Sequence, residues 1–258
     1  MSYEAVLVEK KDRMGIITLN RPDKFNTFST TLARELNAGL QELDADGDVH
    51  VVIVRGAGKT FSTGIDLSEF PGKTPLEYRE WITLMDEMHG TIASMDKPVI
   101  ASVHGFAVAN GAGLMFAADF AIVTENAKIG TTAINVGLLC SGPVIPLSYS
   151  LGKQKLLELL LCGDLIDAHE AERMGMVNRV VPPEKLEEET FAFAAKLLAK
   201  SPLALKEGKR FYYRMINMPF DQRFDFSSEV FAGLCTSEDA NEGIGAFKAK
   251  RAPEWKGK

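Results

Sequence analysis

Residues 97–126, KPVIASVHGFAVANGAGLMFAADFAIVTEN, contain the pattern that decides the fold. Two short, β-branched and apolar runs, KPVIASVHG and DFAIVTEN, flank a glycine-rich stretch and the helical pattern GAGLMFAA. Strands that are apolar on both faces are typical of a sheet covered on both sides. A strand, a helix and a second strand in this order predict a right-handed β–α–β unit, with a buried helix that begins near Asn110.

The alternation of strands and helices extends toward the N terminus. AVLVE and MGIITLN, separated by the charged residues 10–13, predict a β-hairpin. Ser29 is expected to cap a helix over TTLARELNAGLQELDAD, and VHVVIVRGAG predicts a further buried strand. Another helical pattern extends from Pro75 to about Met95.

Beyond about Ser141 the strand signals fade, and the remaining patterns predict a helical tail. The predicted tail helices are LGKQKLLELLL, AHEAERMG, PEKLEEETFAFAAKLLAK, PLALKEGKRFYYRMI and EDANEGIGAFKAKR. The chain therefore divides into a β/α part and a helical C-terminal part.

Composition narrows the class of protein. The 258 residues are 46% hydrophobic and 25% charged, enough for one large domain or one domain with a small appendage. No apolar run approaches the ~20 residues that cross a bilayer, and the charged N-terminal stretch does not suit a signal peptide, so we expect a cytoplasmic protein without a membrane partner. A net charge of −6 argues against nucleic-acid binding. The three cysteines, Cys140, Cys162 and Cys235, suit neither a disulfide framework nor a metal site.

Two glycine-rich segments indicate the chemistry. The first is FSTGIDLSEF, residues 61–70, and the second is VHGFAVANGAGLMFAADF, residues 103–120. A thioester carbonyl gains negative charge when it becomes an enolate, and two converging backbone N–H groups, one of them at a helix N terminus, stabilise that charge. Glycine permits the necessary close approach of backbone to ligand.

Together, in this order and spacing, the two segments resemble the crotonase (enoyl-CoA hydratase/isomerase) family. The likeness continues in LNRPDKFNTFS, in GDLIDAHEAERMGMVNRVVP (163–182) and in EGIGAFKAKR, so it covers essentially the whole chain. It implies an α/β fold, the crotonase (ClpP/crotonase-like) spiral of β–α–β units, with a core over residues 1–195 and a helical trimerisation region over 196–258. It also implies a homotrimer, or a hexamer built as a dimer of trimers.

The resemblance further implies an acyl-CoA substrate, with coenzyme A as part of that substrate and no permanently bound cofactor. The two oxyanion N–H donors fall on Ile65 and Asn110, with Gly111 as the less favoured alternative to Asn110. Other positions implied to contact the substrate or its coenzyme A portion are Lys24, Asp66, Leu67, Phe247 and Lys250. For Lys24 and Phe247 the alternatives are a solvated surface lysine and a residue of helix packing.

The sequence departs from the family at the two positions that matter most for hydration. Hydratases hold a water molecule between two glutamates, which serve as general base and general acid. Here the matching positions are Gly113 and Ala133, and neither side chain can transfer a proton. The acid or base of this protein, if it has one, must lie elsewhere on the pocket wall.

Several residues are candidates for that role. Cys140 and Ser141 fall where some relatives carry a carboxylate, although a packed cysteine and a helix-capping serine are the alternative interpretations. His104, at the end of a strand, is expected to be structural. The segment with Asp86, Glu87 and His89 borders the acyl pocket in the family, but the sequence does not assign its inward face.

Three functions remain open at this point. The first is an enoyl-CoA lyase or isomerase whose catalytic groups are displaced from the usual positions. The second is an acyl-CoA thioester hydrolase that uses Cys140 or a water molecule near Asn110. The third is a catalytically inactive relative that has kept the acyl-CoA pocket. The sequence does not determine the acyl group.

Overall fold

The computed structural model describes residues 3–258, which form two sheets enclosed by helices. The larger sheet has six strands in the order β1-β2-β3-β4-β6-β9, in which β1 and β2 form the predicted antiparallel hairpin and all other neighbours are parallel. The smaller sheet has the order β5-β7-β8. The strands are β1 Val6–Lys11, β2 Met14–Leu19, β3 Val51–Gly56, β4 Val99–Val103, β5 Phe106–Val108, β6 Phe120–Thr124, β7 Lys128–Gly130, β8 Ile166–Asp167 and β9 Arg179–Val181.

Most of the ten helices in residues 3–258 match a predicted helical segment. They are α1 Thr30–Ala45, α2 Pro75–Ser94, α3 Asn110–Ala117, α4 Val144–Leu147, α5 Lys153–Cys162, α6 Ala168–Arg173, α7 Leu186–Leu198, α8 Pro202–Met215, α9 Gln222–Cys235 and α10 Glu238–Ala249. The predicted cap of α1 is confirmed, because the Ser29 hydroxyl accepts a hydrogen bond of 3.1 Å from the Leu32 N–H. Short 3-10 turns occupy Pro22–Lys24, Leu67–Glu69, Thr132–Val136 and Pro183–Lys185.

The expectation of an all-helical tail after about Ser141 is wrong in two places. Strand β9 adds to the parallel sheet beside β6, and β8 pairs with β7. Each has only two or three residues, too few for a periodic pattern, and each forms because a neighbouring strand offers free backbone groups. Helices α4 and α9 were also missed by the sequence patterns.

Both faces of the larger sheet are buried, as its doubly apolar strands predict. One face packs under α1, α2 and α3 through residues such as Ile17 and Val54. The opposite face is covered by α7 and includes Ile16 and Ile53. Successive residues of a strand therefore enter different clusters, which is the period of two expected of a strand.

A tight turn between β4 and β5 carries the chain from the larger sheet to the smaller one. Gly105 has a φ of +63°, and a Cβ at this position would overlap the carbonyl oxygen of Lys59. Only glycine suits both conditions. The turn brings strand β5 against residues 59–62. Because β5 leads directly into α3, the turn also positions the N terminus of that helix.

The C-terminal helices dock on the sheet through a buried ion pair. The Asp119 carboxylate accepts hydrogen bonds from Lys209 Nζ (2.7 Å), from the Val99 N–H (2.7 Å) and from the Tyr213 hydroxyl (3.3 Å). Helix α8 is thereby tied to the start of β4. The division into regions 1–195 and 196–258 stays a prediction, and residue 195 lies within α7.

None of the helices within residues 3–258 combines the length and the apolar character that crossing a membrane requires.

We expect the Asp119→Asn substitution to destabilise the protein by about 3 kcal/mol, because it leaves the buried Lys209 ammonium without a counterion. The measurement is the urea dependence of unfolding, followed by circular dichroism. A Lys185→Ala variant, which breaks a solvent-exposed ion pair with Glu188, is the control and is expected to unfold like the parent. Equal midpoints for Asp119→Asn and the parent would contradict the docking role.

Candidate active site

A cavity of about 470 Å³ lies between the 61–70 segment, α2, the N terminus of α3 and the loop of residues 132–143. Residues predicted for the site from the sequence form part of its wall, namely Ile65, Leu67, Asn110, Ala133, Cys140 and Ser141. The cavity is mainly apolar. Most of the remaining wall is hydrophobic and includes Phe70, Trp81, Leu138 and Leu139.

Hydrogen bonds fix the backbone on both sides of Ile65 but leave its own N–H free. Phe28 donates its N–H to the Gly64 carbonyl (2.8 Å) and accepts from the Asp66 N–H (2.9 Å). Within residues 3–258, the Ile65 N–H has no acceptor. Ile65 is half-buried and lines the cavity, so a bound ligand can supply the acceptor that this N–H lacks.

The Asn110 N–H is the second unpaired donor. Asn110 is the first residue of α3, where an amide has no intrahelical partner, and no other group of the described chain accepts from it. The preceding residue, Ala109, has a φ of +50°, a strained conformation for a residue other than glycine. Its own N–H is held by the Gly130 carbonyl at 2.9 Å.

The two donor segments lie in contact at Gly64. A Cβ placed on Gly64 would lie 2.8 Å from the Ala109 Cβ and 3.8 Å from the Asn110 nitrogen. The free amides of residues 65 and 110 thus belong to chain segments that touch each other. Two such donors, one at a helix N terminus and both on an apolar cavity, can stabilise an oxyanion that develops on a bound carbonyl.

The side chain of Asn110 points away from this role. Its Nδ2 donates to the Asp86 carboxylate at 3.1 Å and to the Met85 carbonyl at 3.4 Å, so the side chain joins α3 to α2. The neighbouring Gly111 is not part of the cavity wall. A Cβ there would overlap the carbonyl of Ser62, which accounts for glycine at this position.

The loop that follows Ile65 is anchored by Asp66. Its carboxylate caps the 3-10 turn by accepting from Ser68 N (3.1 Å) and forms an ion pair with Arg21 (2.9 Å). Leu67 is exposed and lines the cavity. Lys24 is exposed on the neighbouring Pro22–Lys24 turn, outside the cavity wall.

At the position of the first absent glutamate, the space is already filled. A Cβ on Gly113 would lie 2.8 Å from His89 Nε2 and 3.0 Å from the Cα of Pro143. Ala133, at the second position, lines the cavity within the Thr132–Val136 turn. A glutamate at residue 113 would therefore require His89 and Pro143 to move.

Two polar side chains of α2 that the sequence left unassigned face this region. Asp86 lines the cavity, and His89 Nδ1 lies 4.0 Å from its Oδ1. Glu87 is exposed. A signal was available, since Asp86 and His89 each follow a buried methionine, Met85 and Met88, and so share the flank of the apolar stripe of α2.

Burial shifts the ionisation of both groups toward their neutral forms. It raises the pKa of the Asp86 carboxyl to about 6, although the hydrogen bond from Asn110 opposes the shift. It lowers the pKa of the His89 imidazole to about 4. Near neutral pH, therefore, His89 is uncharged. The pKa of Asp86 is close enough to neutral pH for this carboxyl both to accept and to donate a proton.

Cys140 and Ser141 both line the cavity, and Cys140 is buried there. Burial raises the pKa of the Cys140 thiol, and the nearby Asp86 carboxylate adds to the shift, so the nucleophilic thiolate is disfavoured. Ser141 lines the cavity but caps no helix, because the N-cap of α4 is Pro143. The expectation of a capping serine is therefore wrong.

The other predicted positions lie outside the cavity wall. His104 Nε2 is 3.0 Å from the Gly58 carbonyl oxygen, in keeping with the structural role expected of it. Phe247 is 86% exposed, and Lys250 ends α10 with a left-handed backbone. No group of three or more His, Cys, Asp or Glu side chains in residues 3–258 is arranged to hold a metal ion.

Comparison with protein families identifies the relationship of this chain. The family model described as enoyl-CoA hydratase/isomerase matches residues 9–258. The chain belongs to the enoyl-CoA hydratase/isomerase family.

Individual members of the enoyl-CoA hydratase/isomerase family match over nearly their full lengths. A Rhizobium meliloti protein named "Probable enoyl-CoA hydratase" is 39% identical, with 99% of each chain covered. The crotonyl-CoA hydratase of Syntrophomonas wolfei is 32% identical, with 97% of each chain covered. The crystal structure of an enoyl-CoA hydratase from Mycobacterium smegmatis superposes with a TM-score of 0.95 at 33% identity, covering 98% of this chain and 99% of that one. The predicted crotonase fold is confirmed.

Substitution of Asp86 by asparagine is expected to stabilise the protein at pH 8, by about 2 kcal/mol. Folding raises the pKa of the Asp86 carboxyl from 3.8 to about 6. Below pH 3.8 the carboxyl is neutral in both the folded and the unfolded protein, and its contribution to the free energy of unfolding is fully present. This contribution is lost as the pH rises through about 6, because the buried carboxyl then ionises. The gain should therefore vanish near pH 4. Thermal unfolding of both proteins across this range measures the effect.

Glu87→Gln is the matched control for this substitution, since Glu87 is the exposed neighbour on the same helix. It is expected to leave stability unchanged at both pH values. A loss of stability for Asp86→Asn at pH 8 would show that ionised Asp86 is stabilising and would overturn the prediction.

Proposed function

We propose that this protein binds an acyl-CoA thioester and stabilises its enolate between the backbone N–H groups of Ile65 and Asn110. The observation that carries the proposal is the pair of unpartnered amides on an apolar cavity, one of them at the start of α3. Membership of the enoyl-CoA hydratase/isomerase family supports the choice of substrate class.

In this proposal the thioester oxygen accepts both N–H bonds, and they strengthen as negative charge develops on that oxygen. Such preorganised donors are typically worth a factor of about 100 to 1,000 in rate for each donor removed. The acyl chain lies against the apolar wall that includes Phe70 and Trp81. The resulting activity is enoyl-CoA isomerisation or hydration with catalytic groups displaced from residues 113 and 133.

The coenzyme A portion is proposed to extend along the 65–67 segment. The Arg21–Asp66 ion pair joins this segment to the turn with Lys24, where a positive charge suits a phosphate. Gly111 stays the less favoured alternative donor. No permanently bound cofactor enters the proposal.

We also propose a trimeric or hexameric assembly through the C-terminal helices. Large exposed aromatic side chains on α9 and α10 support it, namely Phe224, Phe231 and Phe247. In such an assembly Phe247 and Lys250 are proposed to reach the coenzyme A of a neighbouring subunit.

Binding and turnover are tested separately. Calorimetric titration with crotonyl-CoA is expected to show saturable binding, with free coenzyme A as the comparison ligand. The enzyme is then incubated with crotonyl-CoA, with longer enoyl-CoAs and with vinylacetyl-CoA, and products are separated by chromatography. Hydroxyacyl-CoA or a shifted double bond is the expected result.

Free thiol release would instead indicate a thioester hydrolase, and binding without any product would indicate an inactive relative. Either outcome overturns the enolate proposal.

A matched pair of glycine substitutions tests the donor geometry. Gly64→Ala is expected to lower the catalytic constant by roughly 100-fold, because the added Cβ pushes the two donor segments apart at Ala109. Gly72→Ala is the control, since Gly72 also has a positive φ, of +84°, but has open space around it. The catalytic constants and the acyl-CoA dissociation constants of both variants are measured. Equal loss in both would remove the support for the Ile65–Asn110 site.

A further inference from the structure

We propose that Asp86 is the catalytic acid and base of this site and that His89 is its positioning residue, together replacing the two absent glutamates. The inference rests on the acyl-CoA function proposed above. It names the group that moves the proton, which neither the family motif nor the sequence pattern assigns.

The first support is the way in which the vacated glutamate position is occupied. His89 Nε2 lies 2.8 Å from the position that a Cβ of residue 113 would take, and the ring is mostly buried, with 12% of the side chain exposed. Among residues 3–258 no group forms a hydrogen bond with this nitrogen. The space beside residue 113 is thus occupied by a polar histidine of α2, behind the cavity wall that Asp86 lines.

The second support is the location of the Asp86 carboxylate. It lines the same cavity as Ile65 and Asn110 and packs against Gly142, where a Cβ would overlap the carboxylate. Glycine at residue 142 therefore leaves room for this side chain. A buried carboxylate that only served packing would be a costly choice, because isolated charges are strongly disfavoured away from water.

The third support is a direct link to the oxyanion donors. Asn110 supplies the second backbone N–H, and its side chain holds the Asp86 carboxylate at 3.1 Å. The base and the oxyanion donor are thereby fixed by a single residue. Since the α-carbon of a thioester is one bond from its carbonyl carbon, a base placed in this way is suited to the α-proton.

The step balances without water or a second base. The Asp86 carboxylate takes the proton from the α-carbon, the C–H electron pair forms the carbon–carbon double bond of the enolate, and the carbonyl pair moves onto oxygen. For a β,γ-unsaturated substrate, neutral Asp86 then returns the proton to the γ-carbon of the dienolate and produces the α,β-unsaturated isomer. Returning it to the α-carbon produces exchange alone.

His89 acts through Asp86. Its neutral ring excludes water from the inner side of the carboxylate and adds no positive charge there, which keeps the proton affinity of Asp86 high. The ionisable groups that face Asp86 are His89, on the same helix, and Cys140, on the loop before α4. Near neutral pH both are uncharged, so the titration of Asp86 governs the rate.

The test uses the full-length protein and two readouts. One is deuterium incorporation at the α-carbon of butyryl-CoA in heavy water, and the other is conversion of vinylacetyl-CoA to crotonyl-CoA. For the parent, both rates should rise with pH through about 6, as the Asp86 carboxylate forms. Asp86→Asn is expected to lower both by at least roughly 100-fold and to abolish this pH dependence, while the dissociation constant for butyryl-CoA stays within about threefold.

Further variants separate chemistry from folding. Asp86→Glu should recover part of the activity together with a pH-dependent limb, and Glu87→Gln should behave as the parent. His89→Ala should move the rise of the rates with pH to lower pH by about one unit, because water then reaches Asp86. His89→Gln should return this rise most of the way to its position in the parent. A packing role for His89 alone would not move the limb.

The outcomes distinguish this inference from the function on which it rests. If the parent exchanges the α-proton and Asp86→Asn does so equally, Asp86 is not the base while the enolate function stands. If the parent binds butyryl-CoA but catalyses neither reaction, both the acid/base role and the enolate function fail. If it does not bind any acyl-CoA, the binding function fails as well.

Discussion

The close packing of backbone around residues 59–62 is the constraint on which the site depends. Three glycines surround this segment, and each would place a Cβ into its backbone: Gly56 at Thr60 and Phe61, Gly105 at Lys59, and Gly111 at Ser62. The Ser62 N–H donates to the Phe106 carbonyl at 3.0 Å, and the Val108 N–H donates to the Ser62 carbonyl at 3.0 Å. The 61–70 loop is thus held against β5 directly before α3 begins, so the amides of residues 65 and 110 meet on one cavity.

The two polar side chains that α2 directs inward, Asp86 and His89, lower the stability of the fold while they supply ionisable groups to the site. Asp86 is held in a place where its ionised form is disfavoured, and His89 remains neutral beside it. Each shift costs stability on one side of its titration, at higher pH for Asp86 and at lower pH for His89. Residues retained at such a cost are typical of functional sites, whereas an apolar pair would pack into α2 without it.

Much of the fold was predictable because its signals are local. The doubly apolar strands β3, β4 and β6, the Ser29 cap and the helix beginning at Asn110 each depend on fewer than about 20 consecutive residues. The missed strands were non-local in origin, whereas the Ser141 error was local. Strands β8 and β9 exist because β7 and β6 have free edges, and the Ser141 cap failed because Pro143 takes the cap position.

By itself, the sequence determined the two glycine segments, the amides of Ile65 and Asn110 as candidate donors, and the loss of carboxylates at Gly113 and Ala133, since these follow from residue types at defined spacings. Only the tertiary structure decided what stands in place of the lost side chains. Helix α2 packs against α3 although β4 and β5 separate them in the chain, and the rotation of α2 about its own axis places Asp86 and His89 inward and Glu87 outward. That rotation is set by packing of the apolar stripe of Trp81, Met85, Met88 and Ile92 against the core. The helical spacing of the stripe is visible in the sequence, but the contacts of its flank with Asn110 and the Gly113 position are not.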